Sequence, residues 1–470
     1  MNDASAHFDL VVIGSGPGGY TAAIRAAQLK MKVAIVERDK LGGICLNWGC
    51  IPTKALLKNA ELFQLFQKSD EWGISVDNLR FDFSKIIKKS RNAANRLNKG
   101  VEFLMKKNSI ATYFGTARLS GAGVVQILGP DQQLQDTLEA GRVLLATGAR
   151  PRTLPGVDFD GQKVIWSTEA LVLPAPPKSM IIIGAGAIGV EFAYFYNTFG
   201  TDVTLVEMMP QILPVEDKEI ADLLAKSLRK SRIKIMTETK VSSLAKTDIG
   251  VEVTVETLQG QKSQLSAELA LMSIGVRGNH EGLGLEQLGV RLNKDFIQVD
   301  GDYQTNVPGI YAIGDVIGSP LLAHVASAEG ISAVEGMAGT EDRTKVIYEN
   351  IPGCTYCQPQ VASLGLTEEK ARQKGYSLKI GRFPFRANGK AIAIGETEGL
   401  VKLIFDAGYG ELLGAHILGA EATEMIAELA VAKNLEATYQ EILHTVHAHP
   451  TLTEAVMEAA GDAYGESINQ

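Results

Sequence analysis

The sequence predicts an α/β fold in which a doubly wound strand–turn–helix unit occurs twice, followed by a C-terminal α+β domain. The first observation is the run Phe8 to Ile13, which reads as a buried parallel strand, leading through Gly14-Ser15-Gly16-Pro17-Gly18-Gly19 into a helix-like stretch, Tyr20 to Met31. A second strand, Lys32 to Val36, ends in Glu37. The second observation is that the whole pattern recurs. Met180 to Ile183 enters Gly184-Ala185-Gly186-Ala187-Ile188-Gly189, and Asp202 to Val206 ends in Glu207. From Gly14 to Glu37 and from Gly184 to Glu207 the spacing is 23 residues in both copies. The third is a change of texture after about Asn350, where strand-like segments alternate and two long helices follow.

Each unit has a physical reading. Glycines permit a tight turn and a close backbone approach to a pyrophosphate. The helix N-terminus faces the phosphates, and the terminal carboxylate takes ribose hydroxyls. Strand, glycines, helix, strand and acid together make a Rossmann-like dinucleotide-binding unit, and the internal repeat implies two bound dinucleotides. In the second copy Glu207 repels a 2′-phosphate, and Met208, Met209 and Pro210 supply no arginine to bind one, so NAD is favoured over NADP.

Between the units lies Gly42-Gly43-Ile44-Cys45-Leu46-Asn47-Trp48-Gly49-Cys50-Ile51-Pro52-Thr53-Lys54. On a regular helix Cys45 and Cys50 would stand ~7.5 Å apart along the axis, against about 4.4–6.8 Å between the Cα atoms of a disulfide. A bridge therefore requires distortion, which Gly49 and Pro52 permit, and a bridge held off ideal geometry is labile in the way of a catalytic disulfide. The pair taken alone is equally compatible with two buried free cysteines; its place after a dinucleotide unit favours the redox reading. A helical excursion is expected from Lys54 to Lys107, and Arg142 to Gly148 is an apolar return strand ending in a small-residue turn. Ile310 to Asp315 sets a carboxylate at a strand end, either as a ligand group or as the cap of the next turn.

Composition narrows the class. The chain has 470 residues, 48 glycines, four cysteines and a formal net charge of −8, enough for several domains with full cores. No dense Lys/Arg block is present, so nucleic acid is not an expected partner. The longest apolar stretch, Met180 to Tyr196, contains a glycine turn and Glu191, which argues against a membrane span. With a short polar start before Phe8, no signal peptide is expected in the sequence as written. Four cysteines are too few for a disulfide framework and point to a reducing, cytoplasmic setting.

The combined motifs resemble the pyridine nucleotide–disulfide oxidoreductase family, and within it the dihydrolipoyl dehydrogenases, the E3 flavoenzymes of 2-oxo acid dehydrogenase complexes. The resemblance runs essentially end to end. It rests on both glycine units, the Gly42 to Lys54 run, Ala146-Thr147-Gly148, Glu191, Gly314-Asp315, Leu322-Ala323-His324, and His447 to Glu454. It implies an FAD-binding domain over 1–152, an NAD-binding domain over 153–276, a central domain over 277–348 and a dimerisation domain over 349–470. FAD is expected on Gly14, Gly16, Gly19, Glu37, Gly42, Gly43, Lys54, Gly115, Thr147, Gly148, Asp315, Leu322, Ala323 and His324. NAD is expected on Gly184, Gly186, Gly189, Glu191, Glu207, Val241 and Gly275. No metal is expected.

The resemblance also implies roles. Cys45 exchanges with dihydrolipoamide and Cys50 lies next to the flavin. Lys54 stands near the flavin ring, with Glu191 as its partner at the nicotinamide boundary; without the family these two would read as a solvated helix residue and a first-turn acid. His449 takes the thiol proton and Glu454 orients it, although Thr451 and Glu454 also have capping-box spacing before the helix Glu454 to Ala460. His444 and His447 read as packing or surface residues. A symmetric homodimer is implied, with His449 reaching the partner's cysteines, and lipoyl domains of acyltransferases or the glycine cleavage H protein as partners. Ile44, Trp48 and Thr53 depart from the usual Thr, Val and Ser, and Trp48 stands where it can press on the disulfide. Cys354-Thr355-Tyr356-Cys357 is unusual for the family; without two further soft ligands it is read as reduced core cysteines, with a secondary redox pair as the alternative. A glutathione-type or mercuric-type reductase is disfavoured by Glu207 and by the cysteine-free C-terminus.

Overall fold

The computed structural model describes residues 6–469. The chain divides into two compact units. The first contains the segment up to Ala55, Lys85–Arg152 and Gly275–Val346; the second contains Leu56–Ser84, Thr153–Ile274 and the segment from Ile347 onward.

In the first unit five parallel strands stand in the order Ala111–Phe114, Val33–Glu37, Ala6–Ile13, Leu134–Leu145 and Ile310–Ala312. Val33–Glu37 is buried along its whole length, as expected of a strand covered on both faces. The long strand Leu134–Leu145 also pairs antiparallel with Val124–Leu128, which pairs in turn with Thr116–Gly121. One face of the sheet packs Leu10, Val12 and Ile35 against Ala22, Ala23 and Ala26 of the helix Pro17–Gln28. Where that helix meets the helix Ala323–Ala338, Gly18 and Ala22 face Gly330, so the two approach closely.

The second unit repeats the plan. Its parallel sheet runs Lys234–Met236, Asp202–Val206, Ser179–Ile183, Leu269–Met272 and Val164–Ile165, with an antiparallel meander from Thr239 to Ala267. The apolar stretch of the sequence is thus a buried strand followed by the helix Ala187–Thr198, in which Phe192, Phe195 and Tyr196 are fully buried. Phe63 stacks on Phe199, the C-cap of that helix, Phe81 and Phe83 meet Phe199 edge-on, and Phe83 also packs against Phe195. The helical excursion is accordingly divided: Cys50–Gln67 is one helix, Phe83–Lys107 another, with a short 3₁₀ turn at Ser69–Trp72 between them. No helix among the described residues is long and apolar enough to cross a membrane.

From Ile347 on, a five-stranded sheet in the order Gly353–Thr355, Gln360–Gly365, Leu412–Gly419, Leu400–Asp406, Leu378–Pro384 is antiparallel throughout. Ala422–Asn434 and Glu454–Asp462 cover it around a core of Phe383, Phe405, Ile417, Leu429 and Val456. The second of these helices begins at Glu454 as the sequence predicts and extends two residues beyond Ala460.

Candidate active site

The two glycine turns are superimposable in their hydrogen bonds. Gly14 N–H donates to Val36 O at 2.8 Å, and Gly184 N–H to Val206 O at 2.8 Å. Ser15 N–H donates to Glu37 Oε2 at 3.0 Å and Ala185 N–H to Glu207 Oε2 at 2.7 Å. The other carboxylate oxygen accepts from Asp39 N–H at 2.9 Å in one copy and from Met209 N–H at 2.8 Å in the other. Both acids are buried. Each is therefore fixed by two backbone donors at the end of its strand.

The glycines separate by role. A Cβ on Gly14 would lie 2.3 Å from Ala146 O, and on Gly184 2.4 Å from Ser273 O, both at positive φ. A Cβ on Gly19 or Gly189 would lie 2.0 Å from the oxygen of Gly14 or Gly184. The chain's own packing demands these four. The middle glycines differ: a Cβ on Gly16 or Gly186 would meet nothing within 4 Å. Both are helix N-caps with open space in front of them, room in which a pyrophosphate can approach the helix N-terminus, so both cradles fit a dinucleotide.

Of the other residues expected at the first dinucleotide, Gly115, Thr147, Gly148 and Asp315 follow the C-terminal ends of the first unit's strands, the favoured ligand edge of such sheets. Gly115 follows Phe114, and its N–H donates to Glu37 O at 2.9 Å. Thr147 Oγ1 donates to Asn279 O at 2.7 Å, and Gly148 leaves open space at φ +69°. Asp315 lies within a 3₁₀ turn, Gly314–Val316, rather than capping it through its side chain, and burial pushes its carboxyl up to about 6. Leu322 is the N-cap of the helix that begins with Ala323 and His324.

In the second unit, Val241 lies in the hairpin strand Thr239–Lys246. Glu191 is buried, and its Oε1 accepts the Tyr356 N–H at 3.0 Å. Gly275 opens the returning segment of the first unit. Its position after the fourth strand matches that of Gly148: Ala146 N–H donates to Ile13 O, and Ser273 N–H to Ile183 O, both at 2.8 Å. Asn279, whose side chain returns a bond to Thr147 O at 2.9 Å, has no sequence signal of its own.

Cys45 and Cys50 form a disulfide with Cα atoms 4.7 Å apart. The distortion is located at Gly49: the helix Gly43–Trp48 ends there, with φ −146° and ψ −110°, and a new helix begins at Cys50. Pro52 serves differently from the expectation, sitting in the first turn of the new helix where its missing N–H costs nothing. Lys54 lies one turn beyond Cys50 on that helix. The redox segment is seated directly on the first dinucleotide turn. Gly42 N–H donates to Ser15 O at 3.0 Å, and a Cβ on Gly43 would come within 2.6 Å of Gly16 Cα.

His449 Nδ1–H donates to Glu454 Oε1 at 2.9 Å, while the His449 side chain is 77% exposed. Oε2 of the same carboxylate accepts Thr451 N–H at 2.8 Å, so one acid orients the imidazole and ties down the approach to the helix. The capping box is incomplete because the N-cap is Thr453, not Thr451. Burial alone would raise the Glu454 carboxyl; the Thr451 and His449 hydrogen bonds outweigh it and hold the group below the usual carboxylate range. His447 is half-buried and paired with Glu428 at 2.7 Å, and His444 is exposed. Cys354 and Cys357 are not joined in a disulfide, and Cys357 is fully buried with its Sγ–H donating to Pro359 O at 3.3 Å. Among the described residues no cluster of three or more His, Cys, Asp or Glu could hold a metal.

Residues 8–330 match the family model for pyridine nucleotide-disulphide oxidoreductases, and residues 351–460 match the dimerisation domain of that family. The chain is 50% identical over 463 residues to a dihydrolipoyl dehydrogenase of Zymomonas mobilis, covering 98% of this chain and 99% of the relative. It is 49% identical over 477 residues to one of Rhizobium etli, with 98% and 99% covered. The structure is similar to a crystal structure of LpdA from Mycobacterium tuberculosis, with a TM-score of 0.88 at 26% identity over 97% of this chain and 99% of that one. Two matching dinucleotide cradles, a disulfide seated on the first of them and near-complete coverage lead to one conclusion: the chain belongs to the pyridine nucleotide-disulphide oxidoreductase family.

Proposed function

We propose that the chain is a dihydrolipoyl dehydrogenase, which oxidises dihydrolipoamide to lipoamide and reduces NAD to NADH. The observation that carries this reading is the Cys45–Cys50 disulfide lying on the turn of a dinucleotide cradle, with a second cradle of the same design in the chain. FAD, when bound, accepts two electrons from a dithiol and delivers them as a hydride to NAD. Gly14, Gly16, Gly19 and Glu37 would hold it, with Asp315 and the Thr147-Gly148 turn at the strand ends. Gly184, Gly186, Gly189 and Glu207 would hold NAD.

The thiolate of dihydrolipoamide attacks Cys45 Sγ, the S–S bond breaks, and Cys50 leaves as a thiolate. The second substrate sulfur then displaces Cys45, closing the lipoamide ring and leaving the enzyme dithiol. His449 takes the proton of the attacking thiol, and Glu454 fixes the imidazole with Nδ1 protonated so that Nε2 is the base. With FAD bound, Lys54 would supply a cation that stabilises its reduced form, and with NAD bound the buried Glu191 would supply an acceptor carboxylate. The chain works as a homodimer, and the exposure of the His449 ring supports a base that serves the partner's cysteines. Lipoyl domains of acyltransferases or the glycine cleavage H protein are the proposed carriers of the substrate. The proposed setting is the cytoplasm, and the proposed domains are 1–152, 153–276, 277–348 and 349–470. A steady-state assay of dihydrolipoamide oxidation with NAD and NADP side by side tests the reading. NAD-linked turnover is expected, and no turnover with either nucleotide would overturn it.

A further inference from the structure

The helix Phe83–Lys107 grips the redox segment on both sides of the disulfide. Ser90 Oγ donates to Pro52 O at 2.9 Å, after Cys50. Asn98 Nδ2 donates to Leu41 O at 2.6 Å, before Cys45. Between these two anchors Arg91 reaches the residues that separate the cysteines. Its Nη1 donates to Asn47 O at 2.5 Å, and its guanidinium carbon lies 4.1 Å from the centre of the Trp48 ring. Arg91, Ala94 and Asn98 share one face of the helix, and Ala94 is fully buried, so the contact face is packed. Asn47 is itself buried and locked, with Nδ2 donating to Leu41 O and Gly43 O at 2.9 Å each.

These contacts fix a charge as well as a shape. Asn47 O is among the last carbonyls of the helix Gly43–Trp48, the negative end of a short stack of peptide dipoles. An arginine can satisfy such a carbonyl and stack on an indole at once, because its guanidinium is planar and forked. Burial pulls the Arg91 guanidinium below its usual range, a sign that the group is partly withdrawn from water and its field only partly screened. Reduction of the disulfide creates a thiolate, and a neighbouring cation stabilises thiolates.

We propose that Arg91 is a positioning residue of the redox centre, holding Asn47 and Trp48 between the two cysteines and favouring the reduced form of the Cys45–Cys50 pair with its charge. Trp48 is the platform through which it acts. This rests on the redox role of the pair given above, and the test uses a chemical dithiol so that it does not depend on dihydrolipoamide being the substrate.

FAD-loaded protein is equilibrated anaerobically with mixtures of oxidised and reduced dithiothreitol, and the reduced fraction of Cys45–Cys50 is read by alkylation and mass. Arg91→Met is expected to lower the equilibrium constant for reduction roughly tenfold, about 30 mV for a two-electron couple. The pH midpoint of alkylation of the reduced pair should rise by about one unit in the same variant. Arg91→Lys, which keeps the charge, should recover at least half of both shifts. In a Trp48→Val background, Arg91→Met should change the constant by less than about threefold. An unchanged equilibrium and alkylation midpoint in Arg91→Met, with only a lower melting temperature, would show a merely structural contact. Equal effects of Lys and Met would remove the charge from the account, and additivity with Trp48→Val would remove Trp48 from it. Any of these three results overturns the proposal as stated.

Discussion

The middle glycines give a sharp separation between folding and binding. Alanine at Gly184 places a methyl 2.4 Å from Ser273 O on a backbone with φ +99°. A left-handed or strained residue costs about 1–3 kcal/mol, and the overlap adds to it, so a loss of about 3 kcal/mol or more is expected. Alanine at Gly186 meets nothing within 4 Å and sits at φ −72°, an ordinary extended conformation. Its effect on stability should stay within about 0.5 kcal/mol, since the smaller entropy of the unfolded alanine chain offsets the poorer N-cap. The new methyl instead occupies the space through which a pyrophosphate meets the helix N-terminus. Losing or stretching one charge-assisted hydrogen bond, worth about 1.5–3 kcal/mol, raises the Kd for NAD roughly tenfold to a hundredfold. Thermal unfolding and NAD titration of the two variants check both halves. If Gly186→Ala binds NAD as tightly as the parent, or loses as much stability as Gly184→Ala, the assignment of the middle glycine to a ligand is wrong.

Four further outcomes are expected. Glu207→Ala should weaken NAD binding and reduce discrimination against NADP, read as the ratio of kcat/KM values; an enzyme that already prefers NADP contradicts the role of Glu207. His449→Gln should cut dihydrolipoamide oxidation by about 10²–10⁴, and mixing it with Cys45→Ser chains should restore up to about a quarter of the activity through mixed dimers; subunit exchange without recovery would place the histidine's action within its own chain. Lys402→Met should cost about 3–5 kcal/mol near neutral pH by urea unfolding, because it strips a 2%-exposed ammonium from Asp217, Glu219 and Glu368 at 2.8, 3.0 and 2.9 Å. Those carboxyls are held below their usual range, where burial is outweighed by their bonds to Lys402 and its neighbours, so the cost should shrink as acid protonates them. Burial raises Glu216 to about 7 from an ordinary 4.5, so the folded form keeps a proton that the unfolded chain releases. The contribution of Glu216 to stability should therefore fall between pH 4.5 and 7 by an amount on the order of 3 kcal/mol, read as the difference in pH profile between the parent and Glu216→Gln.

The repeated cradles were legible because the first and last glycines are dictated by steric contacts and each acid by two backbone donors. A Cβ clash of 2.0 Å at Gly19 and at Gly189 leaves little choice of residue. The break at Gly49 was legible for a similar reason, since the cysteine spacing and the reach of a disulfide conflict on a continuous helix. Contacts between distant segments were not legible. The partner of Lys402, Asp217, lies 185 positions away, and both are buried. Arg91 looks like one of several cations on the amphipathic helix Phe83–Lys107; only the fold brings it onto Trp48. The divided excursion follows from Phe63, Phe81 and Phe83, whose rings find Phe195 and Phe199 rather than each other alone.

The two parallel sheets differ in where the fifth strand comes from, and this sets an order of events on the ribosome. In the second unit the outer strand Val164–Ile165 precedes the other four, and the whole nucleotide sheet is encoded without interruption by Met272. In the first unit the strand Leu134–Leu145 must wait for Ile310–Ala312, which emerges roughly 165 residues later, on the order of ten to thirty seconds at usual elongation rates. The sheet begun first is thus finished last. The nascent chain carries an open strand edge at Val143 to Leu145 while an inserted neighbour completes its own sheet. The interval before that edge is closed is the window in which a nascent chain would need a holding chaperone.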